Sequence, residues 1–233
     1  MYKSIAKVYD YIFPQNINQL NFIDSIKPIS KHETILEIGC ATGNLTELLY
    51  TKSAHVIGLD LDDTLLEEAS KKYPDMTFIN ENMLNISNLE RNFDRIVCFG
   101  NTLVHLPDRD AVNLFFNRVY EQLNDSGLFI VQIINYDRII THNINHLPTI
   151  ENDHIKFTRD YDLKDGYVSF DTELLIKETS QVIKSKLPLL TLKQNEIQTY
   201  LENAGFKDIQ FYGNLKGDKI QSTDIPLLFS CIK

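Results

Sequence analysis

Cysteine is scarce: Cys40, Cys98 and Cys231 are the three in 233 residues, far apart and without C-x-x-C spacing. Such a set builds neither a disulfide framework nor a zinc site, and it suits a reducing compartment. Long apolar runs are missing too. The longest, such as LFIVQII at 128–134, fall far short of the roughly 20 residues that cross a bilayer. The opening MYKSIAKVYDYIF carries no continuous apolar stretch after its first lysine, so the chain reads as cytoplasmic, without a secretion signal or a membrane partner. Basic residues are in the minority, 23 against 32 acidic, for a formal charge of -9. That balance gives no net attraction for nucleic-acid phosphates and points to a small-molecule partner. Neither an internal repeat nor a low-complexity linker divides the chain. With 43% apolar side chains, residues 1–233 suffice for one buried α/β core and would be cramped by a second full domain.

What is present is an alternation of short β-rich runs with helical periods, the mark of parallel strands joined by crossover helices. TILEIGC (34–40), HVIGLDL (55–61), MTFINE (76–81), DRIVCFG (94–100) and LFIVQII (128–134) read as five such strands. NLTELLYTK, DTLLEEASKKY and DRDAVNLFFNRVYEQL, the last closed by an Asn-Asp-Ser-Gly turn at 124–127, space their apolar residues as helices do. From about residue 154 the period changes to two. HIKFTRDYDL, YVSFDTELLIKE and QVIKSKLPLL read as antiparallel strands, so residues 151–190 are expected to form an inserted β cap on the substrate side. The helix LKQNEIQTYLENAG, the strand KDIQFYG and the strand IPLLFSCIK close the chain.

The turn after the first strand, LEIGCATGNLTELL, places Gly39 and Gly43 where a buried strand must reverse into a helix. Glycine there permits close approach of a ligand to backbone N–H groups, although two glycines also serve a tight turn alone. The dinucleotide fingerprint G-x-G-x-x-G is broken by Ala41 and Asn44, and no lysine follows Gly43, which excludes a phosphate-binding P-loop.

Glu37, Gly39, Ala41 and Gly43 resemble the E-x-G-x-G-x-G motif of class I S-adenosylmethionine-dependent methyltransferases, with alanine for the middle glycine. Within that family the wording is most similar to the glycine N-methyltransferases and related small-molecule enzymes: FINENMLNI, CFGNTLVHLPD, QIINYDRI and the AGF turn at 204–206 come in the family's order over nearly the whole chain. The resemblance implies a Rossmann-like α/β fold with a seven-stranded, mostly parallel sheet whose last strand is antiparallel, flanked by helices. It implies an enzyme that moves a methyl group from S-adenosylmethionine to a small molecule, an amine or an amino acid. The cofactor residues it implies are Glu37, Gly39, Cys40, Ala41 and Gly43 in the loop and Asp60 on the ribose hydroxyls. Leu61 would lie on the adenine face, Asn82 on its edge, with Met83, Phe99 and Gly100 nearby, and Tyr9 or Tyr11 of the N-terminal segment would close over the methionine end. The matching asparagine of the glycine N-methyltransferase relatives makes Asn135 the leading acceptor contact, with Tyr136 and Arg138 beside it. An Asn-Tyr-Asp cap of a following helix is the alternative.

Asp60, Asp62 and Thr64 also fall at the D-x-D-x-T spacing of haloacid-dehalogenase-like phosphatases. Those enzymes need the motif after the first strand, and later an acidic pair for magnesium. Here a complete glycine-loop unit precedes the motif and no such pair is found after it, so no metal is expected; Asp62, Asp63 and Thr64 are expected to begin a helix as caps. A module that binds the cofactor without catalysis is the other alternative.

Two further sets bear on the acceptor. Asn101 and His105, with Thr102, come after the fourth strand at the end where open α/β sheets bind ligands, and either could orient an acceptor or take its proton. A hydrogen bond from His105 to loop backbone near Pro107 is the plainer alternative. In HIKFTRDYDL, Ile155, Phe157, Arg159, Tyr161 and Leu163 share a face under the two-residue period. Arg159 therefore either clamps an acceptor carboxylate or reaches a protein acid such as Glu173.

Overall fold

The computed structural model describes residues 2–233. Two short helices, Tyr2–Ile5 (α1) and Tyr9–Ile12 (α2), form an N-terminal strap ahead of the helix Ile17–Ile26 (α3). Five strands then alternate with helices: Thr34–Ile38 (β1), Asn44–Tyr50 (α4), His55–Asp60 (β2), Asp63–Lys72 (α5), Thr77–Asn80 (β3), Phe93–Cys98 (β4), Arg109–Gln122 (α6) and Leu123–Ile134 (β5). After Tyr136–Thr141 (α7) come four strands, His146–Glu151 (β6), Ile155–Lys164 (β7), Tyr167–Ile176 (β8) and Gln181–Leu190 (β9). Gln194–Ala204 (α8), Lys207–Tyr212 (β10) and Pro226–Ile232 (β11) complete the chain.

The main sheet has seven strands in the order β10-β11-β5-β4-β1-β2-β3, and β11 alone runs antiparallel to its neighbours. Both faces are covered, so side chains alternate between two apolar layers. Leu36 and Ile38 of β1, with Phe129 and Val131 of β5, pack on Phe115, Phe116 and Val119 of α6. Ile35, Val97 and Ile130 face the other way, onto Phe22 and Ile23 of α3 and Leu48 and Leu49 of α4. A smaller cluster joins Ile5 and Ile12 of the strap to Ile155, Phe157 and Leu174 of the second sheet.

That second sheet is antiparallel, in the order β6-β7-β8-β9. It begins at His146, earlier than the 151–190 expected, because β6 pairs with β7 (Leu147↔Arg159) although it carries Pro148. An edge strand tolerates a residue without an N–H. The Asn-Asp-Ser-Gly turn does not stand between α6 and β5 but forms a bulge within β5. The register with β4 jumps from Phe93↔Leu123 to Arg95↔Leu128, and Ser126 takes a left-handed φ of 61°.

A buried arginine sits inside this framework. Arg95, fully buried on β4, donates through Nε to Glu33 at 3.0 Å, through Nη1 to Ile23 O at 3.2 Å and through Nη2 to Lys27 O at 2.9 Å, tying α3 to the sheet.

Candidate active site

The strand ends of β1, β2 and β4 converge on the glycine loop. Gly39 turns the chain out of β1 at φ 77°, and a Cβ there would collide with Thr102 Oγ1, so no larger residue fits. The N–H groups of Gly39 and Cys40 donate to Leu59 O at 2.7 and 3.0 Å, and Gly43, at φ 79°, caps α4. Ala41 takes a left-handed φ of 49°, and its methyl packs with Ala6, Leu65 and Tyr9.

Asp60 closes β2. Its Oδ2 accepts the Ala41 N–H at 2.8 Å and its Oδ1 accepts the Asp62 N–H at 2.9 Å. Burial raises its proton affinity, opposed by those two N–H groups. A carboxylate has about four lone-pair positions, so each oxygen keeps one for a ligand, in a direction the backbone has already fixed. Asp62 caps α5, accepting from Thr64 N at 3.0 Å and Leu65 N at 3.2 Å. The second acid of the phosphatase-like spacing therefore has a helix-capping place, and the described residues hold no cluster of three or more His, Cys, Asp or Glu arranged for a metal.

Two cavities of about 480 Å³ each open on this loop. The first is bounded by Asp60, Leu61, Asn82, Met83 and Leu106. Leu61 is 68% exposed, an apolar side chain left uncovered beside the acid, and Asn82 caps the following helical turn through Leu84 N at 2.9 Å. The second runs toward the four-stranded sheet and is bounded by Glu37, Cys40, Phe99, Asn101, Gln132 and Arg159. Tyr9, Gly39, Ala41, Gly100 and His105 border both. Gly100 has a φ of 70° and open space where a Cβ would stand, so the floor between the cavities is bare backbone.

Charge in the second cavity is sparse. Glu37 is buried, accepts a hydrogen bond from Thr46, and is pushed up to about 7 by burial. Burial pulls His105 down to about 4, leaving it neutral at pH 7. Tyr161 is pushed up to about 12 by burial, against a hydrogen bond with Tyr136. Asn101 spans β4 to β5: its Oδ1 accepts the Ile134 N–H at 2.9 Å and its Nδ2 donates to Tyr136 at 3.4 Å.

The acceptor set expected after β5 takes a different place. Asn135 is buried; its Oδ1 accepts the Arg138 N–H at 3.2 Å, capping α7, and its Nδ2 donates to Asp224 O at 3.1 Å. Tyr136 is fully buried and Arg138 half-buried, and none of the three borders either cavity. The helix-cap alternative is the geometry found. Tyr9 reaches the site, whereas Tyr11 is 44% exposed and stacks on His154. Arg159 does not reach Glu173: β7 pairs Arg159 with Thr172, which puts Glu173 on the opposite face, where Lys184 holds it at 2.8 Å. Leu147, Phe170 and Leu189 of the second sheet also border the second cavity. The two-residue period of QVIKSKLPLL could have nominated Leu189, but only the folded sheet says which face looks inward.

A methyltransferase-domain family model matches residues 35–127, which carry the glycine loop and Asp60. A Geobacillus sp. (strain WCH70) protein named as a methyltransferase is 27% identical over 155 residues, 63% of this chain, and the match spans 60% of that relative's length. The glycine/sarcosine N-methyltransferase of Aphanothece halophytica is 22% identical over 200 residues, covering 82% of this chain and 73% of that protein. In fold, an S-adenosylmethionine-dependent methyltransferase from Clostridium acetobutylicum ATCC 824 superposes with a TM-score of 0.83 at 21% identity, over 99% of this chain and 98% of that one. Residues 35–127 thus match a methyltransferase domain, and the chain as a whole shares its fold with this S-adenosylmethionine-dependent methyltransferase.

Proposed function

We propose that the protein methylates a small molecule, an amine or an amino acid, using S-adenosylmethionine held in the first cavity and the acceptor held in the second. The observation that carries this reading is Asp60, whose two oxygens are each oriented by one backbone N–H and stand beside the uncovered Leu61. Acid and apolar ledge together fit a ribose and its base. Glu37, Gly39, Cys40, Ala41 and Phe99 border the adjoining space, where the amino-acid end of the donor would lie, with Tyr9 over it.

When bound, S-adenosylmethionine supplies a methyl carbon already activated by its sulfonium. The chain's own task is alignment and exclusion of water, and effective molarity accounts for roughly 7–11 kcal/mol of such barriers. Residues 1–233 act as one domain, with the four-stranded sheet as the acceptor-side wall through Leu147, Arg159, Tyr161, Phe170 and Leu189. His105, neutral and on the boundary between the cavities, orients the acceptor by hydrogen bonding, since burial makes it too weak a base to hold the proton an amine sheds. Asn101 holds that boundary loop to β5. The net charge of -9 supports a small acceptor over a nucleic acid. Three scattered cysteines support a reducing cytoplasm, and no helix among the described residues is long and apolar enough to cross a membrane.

Thermal denaturation tests the donor site. S-adenosylhomocysteine at a hundred times its Kd should stabilise the protein by about 2.7 kcal/mol, NAD should not, and Asp60→Ala should abolish the effect. Protection by NAD but not by S-adenosylhomocysteine would overturn the reading. Tight binding with no turnover on a broad acceptor panel would leave a non-catalytic module.

A further inference from the structure

The donor site leaves the acceptor's chemistry open, and Arg159 narrows it. Of the five N–H donors an arginine carries, one has a described acceptor: Nη2 donates to Pro148 O at 2.6 Å. The Nε is buried with no acceptor. No carboxylate of the described residues pairs with the guanidinium, whose carbon stands 5.9 Å from the centre of the Phe157 ring. Among the described residues bordering the second cavity Arg159 is the one Lys or Arg, and the single Asp or Glu there, Glu37, is bonded to Thr46. Arg159 is half-buried with its Nε covered, and an N–H fork left unanswered in this way is matched best by the planar fork of a carboxylate.

Building on the methyltransferase reading, we propose that Arg159 grips a carboxylate of the methyl acceptor, so that the substrate class is amino acids and other nitrogen nucleophiles bearing a carboxylate, and not uncharged amines. The wall formed by β7 holds the acid end, and the nucleophile faces Gly39, Gly100 and His105 at the boundary between the cavities. The donor's own amino-acid tail is a second source of the same carboxylate chemistry, and the test must separate the two.

Calorimetry on the full chain measures S-adenosylhomocysteine and methylthioadenosine, which lacks the amino-acid tail, against wild type, Arg159→Met and Arg159→Lys. With S-adenosylhomocysteine bound, acetate and methylamine are then titrated while the Arg159 Nε–H resonance is monitored, identified by its loss in the Arg159→Lys spectrum. Acetate should shift it saturably and methylamine should not. Arg159→Met should weaken acetate about tenfold to a hundredfold while S-adenosylhomocysteine affinity stays within about twofold. Across an acceptor panel, carboxylates should lose kcat/KM in Arg159→Met by the same factor and their amides should not. Arg159→Lys keeps the charge and controls for a folding defect. An Nε–H resonance indifferent to acetate would overturn the proposal while leaving the donor site standing. Loss of S-adenosylhomocysteine binding in Arg159→Met with methylthioadenosine unaffected would reassign the carboxylate to the donor. Failure of wild type to bind S-adenosylhomocysteine would remove both readings.

Discussion

Gly39 and Gly100 share a left-handed backbone but not a neighbourhood. A methyl at Gly39 would collide with Thr102 Oγ1, whereas at Gly100 it would meet nothing within 4 Å. Gly100→Ala should therefore cost only the conformational penalty, about 1–2 kcal/mol. Gly39→Ala should cost about 1–3 kcal/mol more for the clash, and adding Thr102→Ala should recover that extra part. Urea denaturation of the three variants measures this, and equal losses at the two glycines would show that the contact with Thr102 is soft. Ala41 shows the converse: its left-handed φ of 49° is accepted where the methyl packs into a small cluster with Ala6, Leu65 and Tyr9.

Among the elements, α3 hangs on Arg95. Removing the guanidinium leaves Glu33 and the carbonyls of Ile23 and Lys27 without their donor. Arg95→Met should destabilise by about 3–5 kcal/mol, with partial recovery when Glu33→Leu is added, as chemical denaturation would read. This bond set is not legible in the sequence, because the arginine's partners lie 62 to 72 residues away. The parallel strands are legible, since each is a short apolar run that leads into a turn and a helical period. So is the Asp62 cap, which depends on its next three residues. β6 is obscured by Pro148, tolerable only because the strand lies at an edge. Within the site, the loop and Asp60 can be read locally from motif and strand end. The acceptor side cannot: Asn135 is committed to Asp224 O, 89 residues on, and only the pairing of β7 with β8 removes Glu173 from the reach of Arg159.

At the scale of the whole molecule, two buried groups tilt stability against pH in opposite directions. Glu37 is raised from 4.5 to about 7, so the folded chain keeps a proton that the unfolded chain has shed; its contribution is complete below pH 4.5 and is lost as pH rises through 7. His105 is lowered from 6.5 to about 4, so its contribution is complete above pH 6.5 and is lost as pH falls through 4. Between pH 4.5 and 6.5 the two slopes oppose each other. A series of Tm values across this range should show Glu37→Gln reducing the decline toward pH 7 and His105→Asn reducing the decline toward pH 4. A Glu37→Gln curve parallel to wild type would mean that the carboxyl ionises without penalty.

The cysteines have a practical sequel. All three are buried, and burial lifts each thiol well above its ordinary value, so none presents the thiolate that an alkylating dye attacks. The native chain is thus a dark background for fluorophores. A single cysteine placed at exposed Val182 on β9 would take one label, and a second at Tyr11 would pair with it, so that energy transfer could report whether the strap and the four-stranded sheet part company when ligands come and go.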